Sequence, residues 1–235
     1  MIRAICGALL LAGLADGVAA QGCRQALVLG LDVSGSVDAR EYALQRDGVA
    51  AALTAPDVAA ALLDPAMPPV RLAVFEWSGP GETRLILPWT GIDGAAALSA
   101  AARQIRSARR AGFGPTTALG GAMGEGYALL AAQPDCDRHT LDLSADGTSN
   151  AGPRPQDTGA APPGVTVNAL LVAPEAPGRA APLVDYFRAY VIRGADAFVE
   201  TAIGFDDYEA AMRRKLLREL RALAIGARPV PARRG

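Results

Sequence analysis

The sequence predicts an α/β fold in which helices cover both faces of a mainly parallel sheet, a doubly wound domain. Short apolar runs alternate with helical patterns along the chain, which is typical of parallel strands joined by helices. The run QALVLGL at 25–31 is continuously apolar, as expected of a strand buried on both faces. Two further runs, VRLAVFEW and TRLILPW, are separated only by SGPGE and therefore predict a hairpin with one antiparallel edge strand.

The first half of the domain begins with the strand 25–31 and continues with a helix. Asp38 and Glu41 have the spacing of an N-terminal capping box, so a helix is expected to begin there and to run to about residue 53. The sequence PDVAAALL predicts a short additional helix, which the proline cluster after it ends. The two hairpin strands follow, and then an amphipathic helix over 94–110.

The second half opens with ALGGAMGEGYALLAA, which keeps a helical pattern despite its glycines. Strands are predicted over 138–147, where the strand leads into a turn, and over 165–173. The segment between them is too rich in Pro and Gly to predict a helix. A helix over PLVDYFRAYVI, a short strand AFVETA and a long helix from about residue 206 complete a single domain over 21–227. Residues 228–235 are expected to form a frayed tail.

Charge and hydropathy exclude two classes of protein. The 235 residues include 23 basic and 24 acidic side chains, and no basic run follows a predicted helix face. Electrostatics therefore predict no nucleic-acid partner. After residue 20 no apolar stretch is long enough to cross a bilayer, so no transmembrane segment is predicted.

Residues 1–20 have the pattern of a cleavable secretory signal peptide. Arg3 precedes an apolar run, and small residues at 18–20 supply a cleavage site. The sequence therefore predicts a periplasmic or secreted protein. Cleavage removes Cys6 and leaves Cys23 and Cys136, which in an exported protein indicate one disulfide. Two unpaired buried thiols are the alternative.

Oxygen-bearing side chains follow two predicted strands and precede one predicted helix. They are Asp32, Ser34 and Ser36, then Thr116 and Thr117, and finally Asp146. In a parallel sheet, ligands bind beyond the carboxyl ends of the strands. Each turn alone is compatible with ordinary helix capping, but together they supply the oxygens that a hard cation such as Mg²⁺ prefers.

The residue types suggest a role for each side chain at such an ion. The hydroxyls of Ser34 and Ser36, two residues apart, can face the same ion, and Thr117 can add a third oxygen directly or through water. Asp32 and Asp146 would balance the charge, either as ligands or by holding coordinated waters. Neutral ligands leave the ion electrophilic, so that it would seek an outside carboxylate.

The order D-x-S-x-S, then Thr, then Asp resembles the metal-ion-dependent adhesion site of von Willebrand factor type A domains. The resemblance implies a sheet in which the first strand neighbours the 138 strand, and an Mg²⁺-mediated grip on an acidic residue of a partner. The matching residues are Asp32, Ser34, Ser36, Thr117 and Asp146. Thr117 is preferred over Thr116 because TALG fits the Thr-x-x-Gly spacing of the family. If the two strands are neighbours, Cys23 and Cys136 lie together at the opposite end of the sheet.

An exported bacterial family of unknown function, built on a type A domain, is similar to this chain over nearly all of its mature length. The similarity lies in ALVLGLDVSGSVDAREYALQRDGVAAAL, EWSGPGE, LPWT, DYFRAYVIRGADAFV and AMRRKLLREL. The chain departs from the family in two places. Ser144-Ala145-Asp146-Gly147 stands where the family tends to have Ser-Gly-Asp-Gly. Prolines at 153, 155, 162 and 163 break a segment that is normally helical, so the face beside the site is expected to be remodelled.

These observations predict a non-enzymatic binding module that holds Mg²⁺ or Mn²⁺ and ligates an Asp or Glu of a protein partner. One alternative is a metal-dependent hydrolase, for which Glu76 is the only obvious general base. Another is a scaffold with a degenerate, metal-free site. His139 is interpreted as a core or edge residue of a strand. The basic residues of the last helix are interpreted as a solvated face, with a docking patch as the alternative: Arg213, Arg214, Lys215 and Arg218.

Overall fold

A computed structural model describes residues 22–174, 178 and 180–226. The signal peptide over 1–20 and the tail over 228–235 lie outside the described residues, and both stay predictions. None of the helices in the described part of the chain is long and apolar enough to cross a membrane.

Six strands of the described chain form one sheet. They are β1 (Gln25–Asp32), β2 (Val70–Trp77), β3 (Thr83–Ile92), β4 (His139–Ala145), β5 (Val165–Ala173) and β6 (Val199–Ile203). Their order is β3-β2-β1-β4-β5-β6, and every neighbouring pair is parallel except β2 and β3. The mainly parallel sheet with one antiparallel edge strand is therefore confirmed. The direction of strand order reverses between β1 and β4, which places the expected ligand crevice beyond their carboxyl ends.

Helices cover both faces of the sheet, as predicted. They are α1 (Ala39–Thr54), α2 (Pro56–Leu62), α3 (Ala95–Ser107), α4 (Leu119–Ala131), α5 (Ala180–Tyr190) and α6 (Tyr208–Gly226). Helices α1, α2, α3 and α6 pack into the hydrophobic core on one face. Helices α4 and α5 pack into the core on the other face.

Local sequence signals account for most of these elements. The side chain of Asp38 accepts a hydrogen bond from the backbone of Glu41, and Glu41 accepts one from Asp38, so the predicted capping box begins α1. The segment between β4 and β5 contains only a short 3₁₀ turn at Pro155–Asp157, as its prolines predicted. Helix α3 ends at Ser107 rather than near residue 110.

A disulfide joins Cys23 to Cys136 across a closed loop with a sequence separation of 113. The two residues precede β1 and β4, which are neighbours in the sheet. The predicted pairing is confirmed, and it lies at the amino end of these strands. Such bonds are typical of proteins in oxidising compartments.

The predicted solvated face of α6 is correct for Arg213 and Arg214 but wrong for Lys215. Both arginines are exposed and form ion pairs, with Asp57 and Glu200 respectively. The side chain of Lys215 is fully buried. The reason is helical spacing, because position 215 follows the buried Met212 by three residues and therefore lies on the packed face of the helix.

Candidate metal centre

The loop after β1 is a tight turn built on Asp32. One carboxylate oxygen of Asp32 accepts a hydrogen bond from the backbone N–H of Ser34 at 2.8 Å. This is the local bond that Asp favours in turns. The backbone carbonyl of Asp32 accepts a hydrogen bond from the side-chain amide of Gln45 in α1 at 2.9 Å. The turn is therefore attached both to itself and to the helix that follows it.

Hydrogen bonds bring the loop after β1 together with the loop after β4. The hydroxyl oxygens of Ser34 and Ser36 lie 3.3 Å apart. The Ser36 hydroxyl also donates to a carboxylate oxygen of Asp146 at 2.8 Å. Because β1 and β4 are neighbouring parallel strands, their carboxyl ends meet at the same edge. Four of the five predicted site residues are thus joined by a continuous set of contacts.

Thr117 lies in the turn before α4, and this turn contacts the loop after β1 through a backbone hydrogen bond. The N–H of Gly35, between the two serines, donates to the carbonyl of Pro115 at 3.0 Å. No hydrogen bond in the described part of the chain joins the Thr117 hydroxyl to the other four residues. Thr117 is buried whereas Thr116 is exposed. The choice of Thr117 as a metal ligand stays a prediction.

Two residues outside the predicted ligand set, Ser78 and Asn150, hold the Thr117 turn. The Ser78 hydroxyl, at the end of β2, lies 2.7 Å from the carbonyl of Gly114 and 2.9 Å from that of Thr116. The side chain of Asn150 accepts from the N–H of Thr117 at 2.8 Å, and its backbone N–H donates to the Thr117 carbonyl at 2.9 Å. Asn150 belongs to the irregular segment after β4, which has no periodicity that would have indicated this contact.

Arg110 adds a positive charge behind the loop. Its guanidinium donates to the backbone carbonyls of Val33 and Ser34, at 2.8 and 3.0 Å. The sequence had placed Arg110 inside a helix, so this contact was also missed. Arg110 binds the backbone of the turn and forms no hydrogen bond with the hydroxyls of Ser34 and Ser36.

The carboxylate of Asp32 is in an electrostatically unfavourable position. Asp32 is 1% exposed, and its second oxygen has no hydrogen-bond partner among the described residues. Burial raises the pKa of Asp32 to about 7, although the hydrogen bonds from Ser34 oppose the shift. Burial also raises the pKa of Asp146. The charge of Arg110 opposes the shift at Asp32 only weakly, so a bound cation would supply the compensating charge that the two carboxylates need.

The donor set fits a hard divalent cation. Adjacent ligands of an octahedral Mg²⁺ lie about 3.0 Å apart, since each oxygen is about 2.1 Å from the ion. The spacing of the Ser34 and Ser36 hydroxyls is close to this value. The described residues include no group of three or more His, Cys, Asp or Glu side chains that could hold a metal. A site here would therefore depend on hydroxyl oxygens together with the carboxylates of Asp32 and Asp146.

Several solved structures have a fold similar to that of this chain. The pilus adhesin SpaC from Lactobacillus rhamnosus GG matches with a TM-score of 0.60 and 17% identity, over 86% of this chain and 30% of that chain. A von Willebrand factor type A protein from Catenulispora acidiphila matches with a TM-score of 0.56 and 14% identity, over 84% and 42% of the two chains. Proximal thread matrix protein 1 from the mussel byssus, in a structure with a zinc-occupied MIDAS motif, matches with a TM-score of 0.54 and 16% identity, over 86% and 48%.

These likenesses show the fold, which is that of the von Willebrand factor type A domain. The present chain spans less than half the length of each of these structures. A comparison with curated proteins found no match.

A family model described as a protein of unknown function (DUF1194) matches residues 22–224. The match includes all five candidate site residues and both cysteines of the disulfide. The chain therefore belongs to this family of unknown function, on a von Willebrand factor type A fold.

Proposed function

We propose that this protein is an exported, non-enzymatic binding module that grips a partner protein through a divalent cation. The cation, Mg²⁺ or Mn²⁺, would be held at Asp32, Ser34, Ser36, Thr117 and Asp146. It would in turn ligate an Asp or Glu side chain of the partner.

The buried, half-satisfied carboxylate of Asp32 carries this proposal. A buried charged oxygen without a partner costs several kcal/mol unless the group stays protonated or gains a counter-charge. The unpartnered oxygen belongs to the same turn as the hydroxyls of Ser34 and Ser36. A cation bound among these oxygens would neutralise Asp32 and Asp146 together.

The exposure of the outer residues supports a role in binding a partner. Ser36 is exposed and Asp146 is half-buried, so an ion held by them would lie within reach of another protein. Mg²⁺ takes about six oxygen ligands, so the five proposed residues would leave a coordination position on the solvent side that a carboxylate from outside could fill. Two of the structural neighbours are named as a pilus adhesin and a thread matrix protein, and these names agree with a role in protein interaction.

Two features support an exported location. The predicted signal peptide would direct the chain to the periplasm or out of the cell. The disulfide between Cys23 and Cys136 is stable in those oxidising compartments.

The surroundings of Glu76 support a non-enzymatic role. Glu76 is fully buried. One of its oxygens accepts from the Tyr42 hydroxyl at 2.6 Å, and the other accepts from Arg84 at 2.7 Å. A general base needs a free oxygen beside the reacting water, and both oxygens of Glu76 are already engaged.

Metal binding is tested by calorimetry on chelator-treated protein titrated with Mg²⁺ and, separately, Mn²⁺. We expect one ion to bind per chain, and Ser36→Ala and Thr117→Val to weaken binding at least 10-fold, because each removes an oxygen ligand or its support. Thr116→Val is the matched control, since its side chain is exposed and adjacent in sequence; it should bind as the unmodified protein does. Equal binding by Ser36→Ala, Thr117→Val and the control would show that the site is misassigned.

The partner is tested by capture from a cell-envelope extract in Mg²⁺. Proteins that bind through the ion should be retained in Mg²⁺, released by EDTA and absent from an Asp32→Ala column. Esterase and phosphoesterase turnover measured in the same buffer should be zero. Retention that is indifferent to EDTA, or turnover that is lost in Asp146→Ala, would contradict the proposal.

A further inference from the structure

A cavity of about 680 Å³ lies at the end of the sheet away from the metal centre. Its walls come from the beginnings of β1, β4 and β5, from the segment before β6, and from α6. This volume is within the range of about 300 to 1,000 Å³ that is usual for small-molecule sites. Strand β1 runs from Gln25, which lines the cavity, to Asp32, so about 23 Å separates the two sites at roughly 3.3 Å per residue.

A buried cluster of charges lies at the inner side of this cavity. The Lys215 ammonium contacts the carboxylates of both Asp142 and Glu219. All three side chains are at least nine-tenths buried, on strand β4 and helix α6. The Asn168 amide donates to one oxygen of Glu219 at 2.6 Å. Two carboxylates thus share one ammonium, which leaves an excess negative charge in the interior.

The excess negative charge favours protonation of Glu219, the member of the cluster that lines the cavity. Burial, together with the negative charge of Asp142, raises the pKa of Glu219 to about 8. Burying an incompletely neutralised group of charges is strongly destabilising. A bound cationic group could replace the proton on Glu219 as the compensating charge.

Two buried acceptors of the cavity wall are without a partner. The second carboxylate oxygen of Glu219 and the amide oxygen of Gln25 have no hydrogen-bond partner among the described residues. Glu219 is 7% exposed and Gln25 is 2% exposed. Buried polar atoms nearly always have a hydrogen-bond partner. A ligand group with several N–H donors would satisfy both oxygens.

The rim of the cavity has the opposite character. Arg138 and Arg218 line it and are exposed, and neither forms an ion pair within the described part of the chain. The Arg218 guanidinium stacks on the Phe198 ring at 3.8 Å from the ring centroid, which fixes its position. Asp196 is the one acidic residue among the described residues of the rim. Two available guanidinium groups favour a carboxylate.

We propose that this cavity binds a zwitterion with a free ammonium and a free carboxylate, either an amino acid or a short peptide. The ammonium donates to Glu219 and Gln25, and the carboxylate pairs with Arg138 and Arg218. This function is separate from the metal centre and does not rest on it.

Calorimetry in the presence of EDTA tests the proposal with two kinds of probe. One is a panel of the common L-amino acids, and the other is tri-L-alanine, so that the two arms distinguish a free amino acid from a peptide end. We expect 1:1 binding in at least one arm. The N-acetylated form and the carboxamide form of the probe that binds should each be at least 10-fold weaker, because each lacks one of the two charges. The proposal is overturned if no probe binds or if the blocked forms bind equally well.

Three variants place the binding in this cavity. Glu219→Gln removes the carboxylate that would pair with the ammonium, with little change of shape, and Arg138→Ala shortens an exposed side chain that does not contribute to the core. Each should weaken binding at least 10-fold. Arg103→Ala, an exposed arginine on α3 outside the cavity, is the matched control and should change affinity less than 2-fold. If Glu219→Gln unfolds the protein, Arg138→Ala decides alone. Unchanged binding by Arg138→Ala would overturn the assignment.

Discussion

At the scale of single residues, Asp32 shows how a binding site can weaken the fold that carries it. Its buried carboxylate has one satisfied oxygen and one unpartnered oxygen. The pKa of about 7, against an ordinary 3.8, means that the folded protein favours the protonated form. Below pH 3.8 both folded and unfolded chains are protonated at this position, and no stability is lost. Between pH 3.8 and 7 the unfolded chain releases its proton first, so the folded state loses stability as the pH rises.

Asp32→Asn should therefore stabilise the metal-free protein at high pH. In EDTA, the free energy of unfolding of the unmodified protein relative to Asp32→Asn should fall by at most about 4 kcal/mol between pH 4 and pH 8. Urea denaturation of both proteins across that range measures this difference. Mg²⁺ at pH 8 should restore the stability of the unmodified protein by mass action but leave the variant unchanged. A difference between the two proteins that does not vary with pH would contradict the electrostatic explanation.

Sequence spacing indicated candidate oxygen ligands that the structure brings together, Asp32, Ser34, Ser36 and Asp146. It did not indicate all of the residues that hold them in place. Asp32, Ser34 and Ser36 lie on one loop, so their proximity follows from local geometry. Asn150 and Arg110 act through backbone atoms of other segments. Such contacts depend on how distant loops pack, and no residue type or spacing indicates them in advance.

At the scale of elements, the glycines of α4 explain how a helix with so many of them forms. A Cβ atom added at Gly126 would lie 2.4 Å from a side-chain carbon of Leu141, which is fully buried in β4. An added Cβ at Gly124 would meet nothing within 4 Å. Gly126 is thus required for close packing of α4 on the sheet, whereas Gly124 only weakens the helix.

Gly126→Ala and Gly124→Ala should therefore change stability in opposite directions. Both gain about 1 kcal/mol of helix propensity, but overpacking of a core typically costs 1–3 kcal/mol. We expect Gly126→Ala to lower the free energy of unfolding by up to about 2 kcal/mol and Gly124→Ala to raise it by about 0.5–1 kcal/mol. Urea denaturation of the two variants provides the comparison, and stabilisation by both would show that α4 can move away from β4.

The boundaries of elements were predicted well where local chemistry sets them and poorly where distant residues do. The capping box at Asp38 sets the start of α1, and the structure has that start. Helix α3 was predicted to extend to residue 110, but the carbonyls of Ala108 and Arg109 accept hydrogen bonds from Arg46 and Arg84. These bonds occupy carbonyls at the predicted C-terminal end of the helix, and both donors come from other elements.

At the scale of the whole molecule, alternating strands and helices were sufficient to predict the fold class. The prediction that β1 and β4 are neighbours came only from the resemblance to type A domains. The residues of a strand do not indicate which strand pairs with it. The buried position of Lys215 was missed for a similar reason. A lysine in a helix is predicted to be solvent-exposed unless buried partners are known. The partners of Lys215 are Asp142 and Glu219, and the sequence does not show that they lie beside it.

The disulfide should stabilise the whole molecule without affecting the metal centre. It closes a loop with a sequence separation of 113, and in the chain-entropy description a loop of about that length is worth up to about 5 kcal/mol. Replacement of both Cys23 and Cys136 by Ser should therefore lower the free energy of unfolding by about 2–5 kcal/mol, as measured by urea denaturation in EDTA.

The affinity for Mg²⁺ should be the same in this double variant as in the unmodified protein, under conditions where both are folded. The bridge lies before β1 and β4, and the candidate ligands follow the opposite ends of the same strands. Calorimetric titration of the two proteins makes the comparison, with Ser36→Ala as the variant that should lose affinity without a large loss of stability. A double variant that stays folded yet binds Mg²⁺ more weakly would mean that the two ends of the sheet are coupled, so that β1 and β4 transmit changes along their length.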